Sequence, residues 1–128
     1  MSADNGIYIL ECKDQYRVIY AHAIDNLFYS HLNPYNDELV PTRIIESYGK
    51  SKYTRNRDLA RMIAFSMEKF YQYTEYGIKT FTIDKTWYQV LQEAKRLAPL
   101  EIEAIRNKTN NDGRWDYDIK RLEEIINR

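Results

Sequence analysis

The chain has few of the residues from which enzymes assemble active sites. It contains one cysteine (Cys12), two histidines (His22 and His31) and four isolated glycines. Isolated glycines exclude a dinucleotide fingerprint and a P-loop, because both motifs need several glycines at fixed spacing. A lone cysteine cannot form an internal disulfide, which fits a reducing compartment, and we interpret Cys12 as an inert small residue. These absences predict a protein without enzymatic activity.

The remaining reactive side chains are too sparse to predict a metal or cofactor site. His22 and Asp25 lie three residues apart, but a zinc site needs three or four ligands. His31 shares the apolar face of a predicted helix, which is typical of a partly buried packing residue. Asp116 and Asp118 lie among lysines and arginines, a pattern typical of a solvated helical face. We therefore predict no catalytic residue, no metal and no cofactor.

The sequence also lacks a long hydrophobic run and an excess of either charge. No apolar stretch approaches the ~20 residues of a membrane span, and the first five residues have no signal-peptide features. Both observations predict a cytoplasmic protein that does not enter a membrane. Lys+Arg and Asp+Glu are both 19, which argues against a dedicated nucleic-acid binder, since such proteins usually carry a basic excess. A net charge of zero also favours self-association.

The hydrophobic periodicity predicts one α+β domain over residues 1–128. Its order is β-β-α-β-α-β followed by helices, with a small, mainly antiparallel four-stranded sheet. The sheet-containing core covers about residues 1–83 and a helical C-terminal segment about residues 84–128. The predicted strands cover residues 7–12, 16–21, 42–48 and 78–83. The predicted helices cover residues 22–32, 54 or 56 to 73, 84–98, 100 to about 110, and a terminal segment from 115.

Particular residues set the expected helix ends and buried faces. Thr54 or Asn56 caps the central helix, Asp84 caps the next one, and Pro99 interrupts that helix. The central helix is expected to bury a stripe, with Ala60, Ala64 and Phe65 on its flanks, formed by Leu59, Met62, Ile63, Met67 and Phe70. The apolar stripes of the last ~30 residues predict either a homodimer through the C-terminal helices or, preferably, packing on the protein's own sheet.

One short segment combines positive charge with tyrosine. Between Tyr48 and Asp58, at a predicted helix start, five side chains form a candidate contact site: Lys50, Lys52, Tyr53, Arg55 and Arg57. Helix-start N–H groups and guanidinium groups suit a phosphate or a partner's carboxylates. Tyrosine, of which the chain has 12, adds stacking area. The alternative interpretation is an ordinary charged, solvated loop.

Four short motifs resemble a set of small uncharacterised accessory proteins of tailed bacteriophages. They are residues 4–10 (DNGIYIL), residues 16–18 with 22–26 (YRV and HAIDN), residues 48–49 (YG) and residues 75–78 (EYGI). The resemblance covers about residues 4–78 and supplies no catalytic residues. It implies a protein made in the bacterial host cytoplasm that binds and interferes with a host protein or an anti-phage defence complex.

Two other functions remain open at this point. A nucleotide-signal sponge would use the same tyrosine stacking and arginine–phosphate contacts. A weak nucleic-acid-binding protein would use the same basic segment.

Overall fold

A four-stranded sheet with helices on both faces forms the centre of the molecule. The computed structural model describes residues 5–22, 24–34, 37–46, 52–72, 74–108, 113 and 115–128. The strands are β1 (Gly6–Glu11), β2 (Tyr16–Ala21), β3 (Lys52–Thr54) and β4 (Ile78–Thr82), in the spatial order β3-β2-β1-β4. The helices are a 3₁₀ helix (Ile24–Phe28), α1 (Pro41–Glu46), α2 (Arg57–Phe70), α3 (Trp87–Lys108) and α4 (Asp116–Ile126).

The sheet is mixed, so the predicted mainly antiparallel arrangement is wrong, although the α+β class is confirmed. The predicted hairpin is present, with β1 antiparallel to β2 and Ile9 opposite Val18. β3 is also antiparallel to β2, whereas β4 runs parallel to β1, with Ile7 opposite Ile78. A parallel pair needs a crossover connection. Here α2 carries the chain across one face of the sheet, from β3 at one edge to β4 at the other.

The segment predicted as the third strand is helical where it is described. Residues 41–46 form α1, and the third strand is instead the three-residue β3; residues 47 and 48 lie outside the described residues. Pro41 suits the first position of a helix, because its fixed φ is helical and the missing N–H has no intrahelical role there. Thr42 and Ile45 are buried one turn apart. Tertiary burial therefore outweighs the β propensity of this Thr- and Ile-containing run.

The helix predicted over residues 22–32 is also wrong in extent and type. The described backbone forms a 3₁₀ helix only at Ile24–Phe28, in which Leu27 is buried. The chain leaves the helix before Ser30 and His31, and both of these side chains are buried. Their polar contacts with other helices, described below, hold this segment outside a regular helix.

The central helix forms as predicted, but it buries a narrower face than the broad one that was expected. Asn56 is the N-cap, and its side chain accepts a hydrogen bond from the N–H of Leu59 at 3.0 Å. The residues buried against the sheet are Ala60 and Ala64, beside partly buried Ile63 and Met67. Alanine lets a helix approach a sheet closely, whereas longer side chains would hold it away. The larger side chains of the predicted stripe are consequently divided between the core and the solvent.

Helix α3 begins and continues differently from the sequence prediction. Thr86, not Asp84, caps it: Thr86 Oγ1 accepts from the N–H of Gln89 at 3.1 Å, and Gln89 Oε1 accepts from the N–H of Thr86 at 2.8 Å. This reciprocal pair is a capping box. Asp84 instead forms an exposed ion pair with Lys13. Pro99 lies inside one continuous helix, because Ala98 before it and Ile102 after it are both packed into the core.

The C-terminal helices pack within their own chain. Leu122 and Ile125 of α4 and Ile102 and Ile105 of α3 belong to one buried cluster with the sheet face that carries Tyr8, Leu10 and Ile19. This is the arrangement preferred from the sequence, in which these helices cover their own core. The opposite sheet face, with Ile7, Ile9 and Val18, is covered by α2. Within the described ranges, no helix combines the length and apolar character that crossing a membrane requires.

Candidate functional site

The predicted contact segment lies at an edge of the sheet, where β3 leads into α2. Four of its five side chains are described, and we call them the basic edge: Lys52, Tyr53, Arg55 and Arg57. All four are exposed. Lys50, the fifth predicted residue, lies outside the described residues. The structure thus places the described candidates on one solvent-accessible edge, within six consecutive residues.

Tyr53 is held in position by an aromatic and cationic stack. The register of β2 and β3 sets Arg17 directly opposite Tyr53. The Arg17 guanidinium lies 4.7 Å from the centre of the Tyr53 ring and 4.4 Å from that of the Trp87 ring. Arg17 is only 8% exposed, while Tyr53 remains 59% exposed. The tyrosine therefore presents one ring face to solvent on a fixed support, which reduces the entropy lost when it contacts a partner.

The cations of the basic edge are not neutralised by nearby acids. Within the described part of the chain, none of Lys52, Arg55 and Arg57 forms an ion pair. A hydrogen bond from the Trp87 N–H lowers the pKa of Asp14, and the charge of Arg55 adds to that lowering. The Asp14 carboxylate thus interacts with the charge of Arg55, but it also accepts a hydrogen bond from the Trp87 N–H at 3.0 Å.

The helix start beside the basic edge is less open to anions than the sequence suggested. Asn56 already satisfies the N–H of Leu59, so one of the donors expected to bind an anion is occupied. The capacity of this edge to bind an anion therefore lies in its side chains more than in free backbone groups.

The outer surface of α2 is unusually apolar for a solvent-facing helix. Its large side chains are strongly exposed: Leu59 46%, Met62 64%, Phe65 63% and Phe70 78%. The sequence prediction had placed Leu59, Met62 and Phe70 in the buried stripe. Several large apolar side chains together on one exposed helix mark an interaction surface more often than isolated ones do.

A buried polar network on the other side of the sheet was not predicted. It joins the segment after the 3₁₀ helix to α1, α3 and α4, and its members are Ser30, His31, Arg43, Glu46, Glu101 and Asp118. His31 Nε2 lies 3.2 Å from Asp118 Oδ2, and Arg43 Nη2 lies 3.4 Å from the same oxygen. Arg43 Nη1 donates to Glu46 at 3.2 Å. Asp118 is thus a partly buried ion-pair partner, not the solvated acid that was predicted.

The spacing of α4 contained the signal for Asp118. It lies three residues after Trp115 and four before Leu122, so it shares their apolar face. His31 does pack as predicted, since its ring meets the Trp115 ring edge-to-face at 4.9 Å. The contact between His31 and Asp118 was not predicted. Long-range partners of this kind, 87 residues apart for His31 and Asp118, leave no local pattern.

The acids of this network titrate differently because their surroundings differ. The hydrogen bond with His31, helped by Arg43, lowers the pKa of Asp118. Burial raises the pKa of Glu46 despite its contact with Arg43. Glu101 is 1% exposed; its Oε1 accepts from Ser30 at 3.3 Å, and its Oε2 has no hydrogen-bond partner in the described structure. Because these groups are buried or only partly exposed, the arrangement fits a structural clamp between helices.

The other reactive residues singled out from the sequence, Cys12 and His22, have different surroundings in the described structure. Burial raises the pKa of Cys12 to about 11, so its thiolate is scarce at neutral pH. His22 is exposed and packs edge-to-face on Tyr20; nothing is described of the Asp25 side chain. Across the described residues, no three His, Cys, Asp or Glu side chains are grouped to hold a metal ion.

A hollow of about 430 Å³ lies between the start of α1, the end of β4 and α3. Its charged lining consists mainly of acids, including Asp37, Glu38, Asp84 and Glu93, with Lys85 as the cation. Lys85 is itself bonded to Glu93. A negatively charged lining repels phosphate, so the hollow gives no support to nucleotide binding there.

Comparison with protein-family models, with curated proteins and with solved structures found no match to this chain.

Proposed function

We propose that this chain is a non-enzymatic binding protein that recognises an acidic surface of a partner protein through its basic edge. The observation that carries the proposal is the group of exposed cations without ion pairs beside a supported, exposed tyrosine. Other cations of the described chain do form ion pairs, as Arg43 and Lys85 do. Cations left without such partners are available to carboxylates of another molecule.

The composition of the basic edge matches a protein interface. Tyrosine and arginine are enriched among the residues that dominate binding energy at interfaces, whereas lysine is depleted. Arginine binds carboxylates through two parallel hydrogen bonds. Tyr53 supplies a large contact area with few rotatable bonds, and Arg17 already holds its ring. An acidic partner segment that also carries an aromatic or aliphatic side chain would satisfy both features.

The identity of the partner is proposed from the resemblance to phage accessory proteins. In this proposal the partner is a host protein or a defence complex in the bacterial cytoplasm, and binding interferes with its action. The hollow beside β4 is lined mainly by acids and so disfavours a nucleotide at that place, and the net charge of zero disfavours a nucleic acid. We therefore place the protein partner ahead of both alternatives.

The test is affinity capture from a bacterial lysate with three tagged forms of the protein. They are the wild type, the charge-reversed Arg55→Glu/Arg57→Glu variant, and a control variant, Lys79→Glu/Lys120→Glu. Both variants change the net charge equally, and both control positions are exposed. Mass spectrometry should identify one partner that the wild type and the control retain in equal amounts and that the Arg55/Arg57 variant loses.

Three other results would contradict this function. Equal retention by all three forms would remove the basic edge from the interface. Loss of the bound material after nuclease treatment would favour the nucleic-acid alternative, with its steep salt dependence. Purification of the wild type with nothing attached, together with a thermal shift on adding cyclic or ADP-ribose-type nucleotides, would favour the nucleotide sponge.

A further inference from the structure

The outer face of α2 has the spacing of a helix–helix seam. Asp58, Met62, Phe65 and Lys69 follow one another at intervals of four, three and four residues, and all four side chains are exposed. This is the d-a-d-a spacing of a coiled-coil contact, in which such positions form one continuous stripe. The stripe lies opposite the alanines that pack on the sheet, so a second helix can reach it without disturbing the core.

The same stripe is complementary to itself when it is reversed. In an antiparallel pair related by a two-fold axis, the contact between Met62 and Phe65 of the second copy fixes the register. Asp58 then lies opposite Lys69 of the second copy, because the residue numbers of each facing pair have the same sum. The two-fold axis repeats each contact, which gives two ion pairs around a centre of methionine and phenylalanine side chains.

The flank of the stripe follows the same rule. Arg61 and Glu68 occupy the two g positions, each directly before an a position of the stripe. In an antiparallel pair, the g positions of the two helices approach each other across the seam. Their charges are opposite, so this flank is also attractive. A parallel pair would instead set Asp58 against Asp58 and Lys69 against Lys69, which is repulsive.

We propose that α2 packs against α2 of a second copy of this chain as an antiparallel, two-fold symmetric homodimer. The pairing covers Met62 and Phe65, which are 64% and 63% exposed in the single chain. It differs from the homodimer through the C-terminal helices considered from the sequence, because those helices cover their own core. It does not depend on the proposed function, since it involves no other partner.

The dimer would present two binding edges. Helix α2 has 14 residues, which corresponds to about 21 Å of helix, and the two basic edges would lie at its opposite ends. Lys69 of the second copy would also neutralise Asp58, the acid located next to Arg57. A partner with two acidic segments would then gain from bivalent binding.

A charge-swap experiment tests the pairing. Asp58→Lys alone creates two like-charge contacts in the dimer, and so does Lys69→Asp alone. Each variant should dimerise about 10- to 100-fold more weakly than the wild type. An equimolar mixture of the two should dimerise like the wild type, because the heterodimer restores both opposite-charge pairs. Analytical ultracentrifugation measures all three samples beside the wild type. Glu103→Lys, at an exposed position of α3, is the control for one acid-to-lysine change.

Phe65→Ala provides a check that is independent of the charges. Its side chain is outside the core, so circular dichroism should show an unchanged fold, while dimerisation should weaken at least about tenfold. A wild type that stays monomeric up to about 1 mM, or a dimer that these substitutions do not weaken, would overturn the proposal. So would a mixture of the two charge variants that fails to associate.

Discussion

Replacing Asp118 by asparagine should show how much the polar network stabilises the fold beyond the interaction of an acid with the dipole of α4. The substitution removes the negative charge that His31 Nε2 approaches at 3.2 Å and Arg43 Nη2 at 3.4 Å. The side chains of His31 and Arg43 are only 2% and 13% exposed, so water cannot fully replace the lost negative charge. Hydrogen bonds to charged groups contribute about 1.5–3 kcal/mol each. Since Arg43 keeps Glu46, we expect a total loss of about 2–3 kcal/mol at pH 7.

The expected loss depends on pH in a defined direction. The pKa of Asp118 is lowered in the folded protein, so its contribution is complete above its unfolded value near 4. That contribution decreases as the pH falls through the folded pKa, because protonation then occurs in both states. The difference in unfolding free energy between wild type and Asp118→Asn should therefore be largest near neutral pH and should decrease as the pH falls below about 4.

Asp116→Asn is the matched control for this prediction. Both acids lie in the first turn of α4, so both substitutions lose the same interaction with the helix dipole, about 0.3–1 kcal/mol. Asp116 is exposed. Urea unfolding followed by circular dichroism at pH 7 and at pH 3 gives the four differences needed. If Asp118→Asn is no more destabilising than Asp116→Asn at pH 7, the network does not stabilise the fold as described.

Three further predictions concern packing, capping and reactivity. Ala64→Leu, which places a larger side chain between α2 and the sheet, should destabilise by about 1–3 kcal/mol, whereas Ser66→Leu on the exposed face should not; thermal unfolding checks both. Thr86→Ala breaks the capping box and should lose about 1 kcal/mol, and Asp84→Ala should lose less than half of that in the same assay, contrary to what a cap at Asp84 requires. Cys12, with its pKa raised to about 11, should react slowly with a thiol reagent at pH 8 and quickly in urea, and fast labelling of the native protein would contradict its burial.

The hairpin and the central helix were predictable because their signals are local. Alternating β-branched and aromatic residues identify β1 and β2, and the cap at Asn56 identifies the start of α2. Local patterns do not determine which of several apolar surfaces a segment packs against. The run after Pro41 has strand propensity, yet it forms α1 because Thr42 and Ile45 fit between α3 and α4.

The direction of β4 and the buried face of α2 are long-range properties as well. β4 is parallel to β1 because α2 crosses the sheet, and the length of a connection does not reveal which edge it reaches. On α2, both an alanine-centred face and a face with Met62 and Phe65 have helical spacing. The larger side chains appeared to be the better core, but the closeness of α2 to the sheet selects Ala60 and Ala64.

The candidate contact residues were predicted from composition, and the structure adds their exposure and the contacts that support Tyr53. The exposed positions of Lys52, Arg55 and Arg57 follow from an edge strand and a helix start, both of which are surface features. The stack of Arg17 between Tyr53 and Trp87 could not be foreseen, since it joins three elements that are distant in sequence. The seam on α2 becomes visible only once the alanine face is known to be buried.

The binding affinity of the captured partner for the three forms of the protein tests the central claim most directly. Isothermal titration calorimetry with the wild type, Arg55→Glu/Arg57→Glu and Lys79→Glu/Lys120→Glu compares equal changes of net charge at two places on the surface. The proposal predicts a loss of at least about 100-fold for the Arg55/Arg57 variant, since interface residues of this type contribute about 1–2 kcal/mol or more each. It predicts less than about a threefold change for the control. Equal affinities for all three forms, or equal losses in both variants, would contradict recognition through the basic edge.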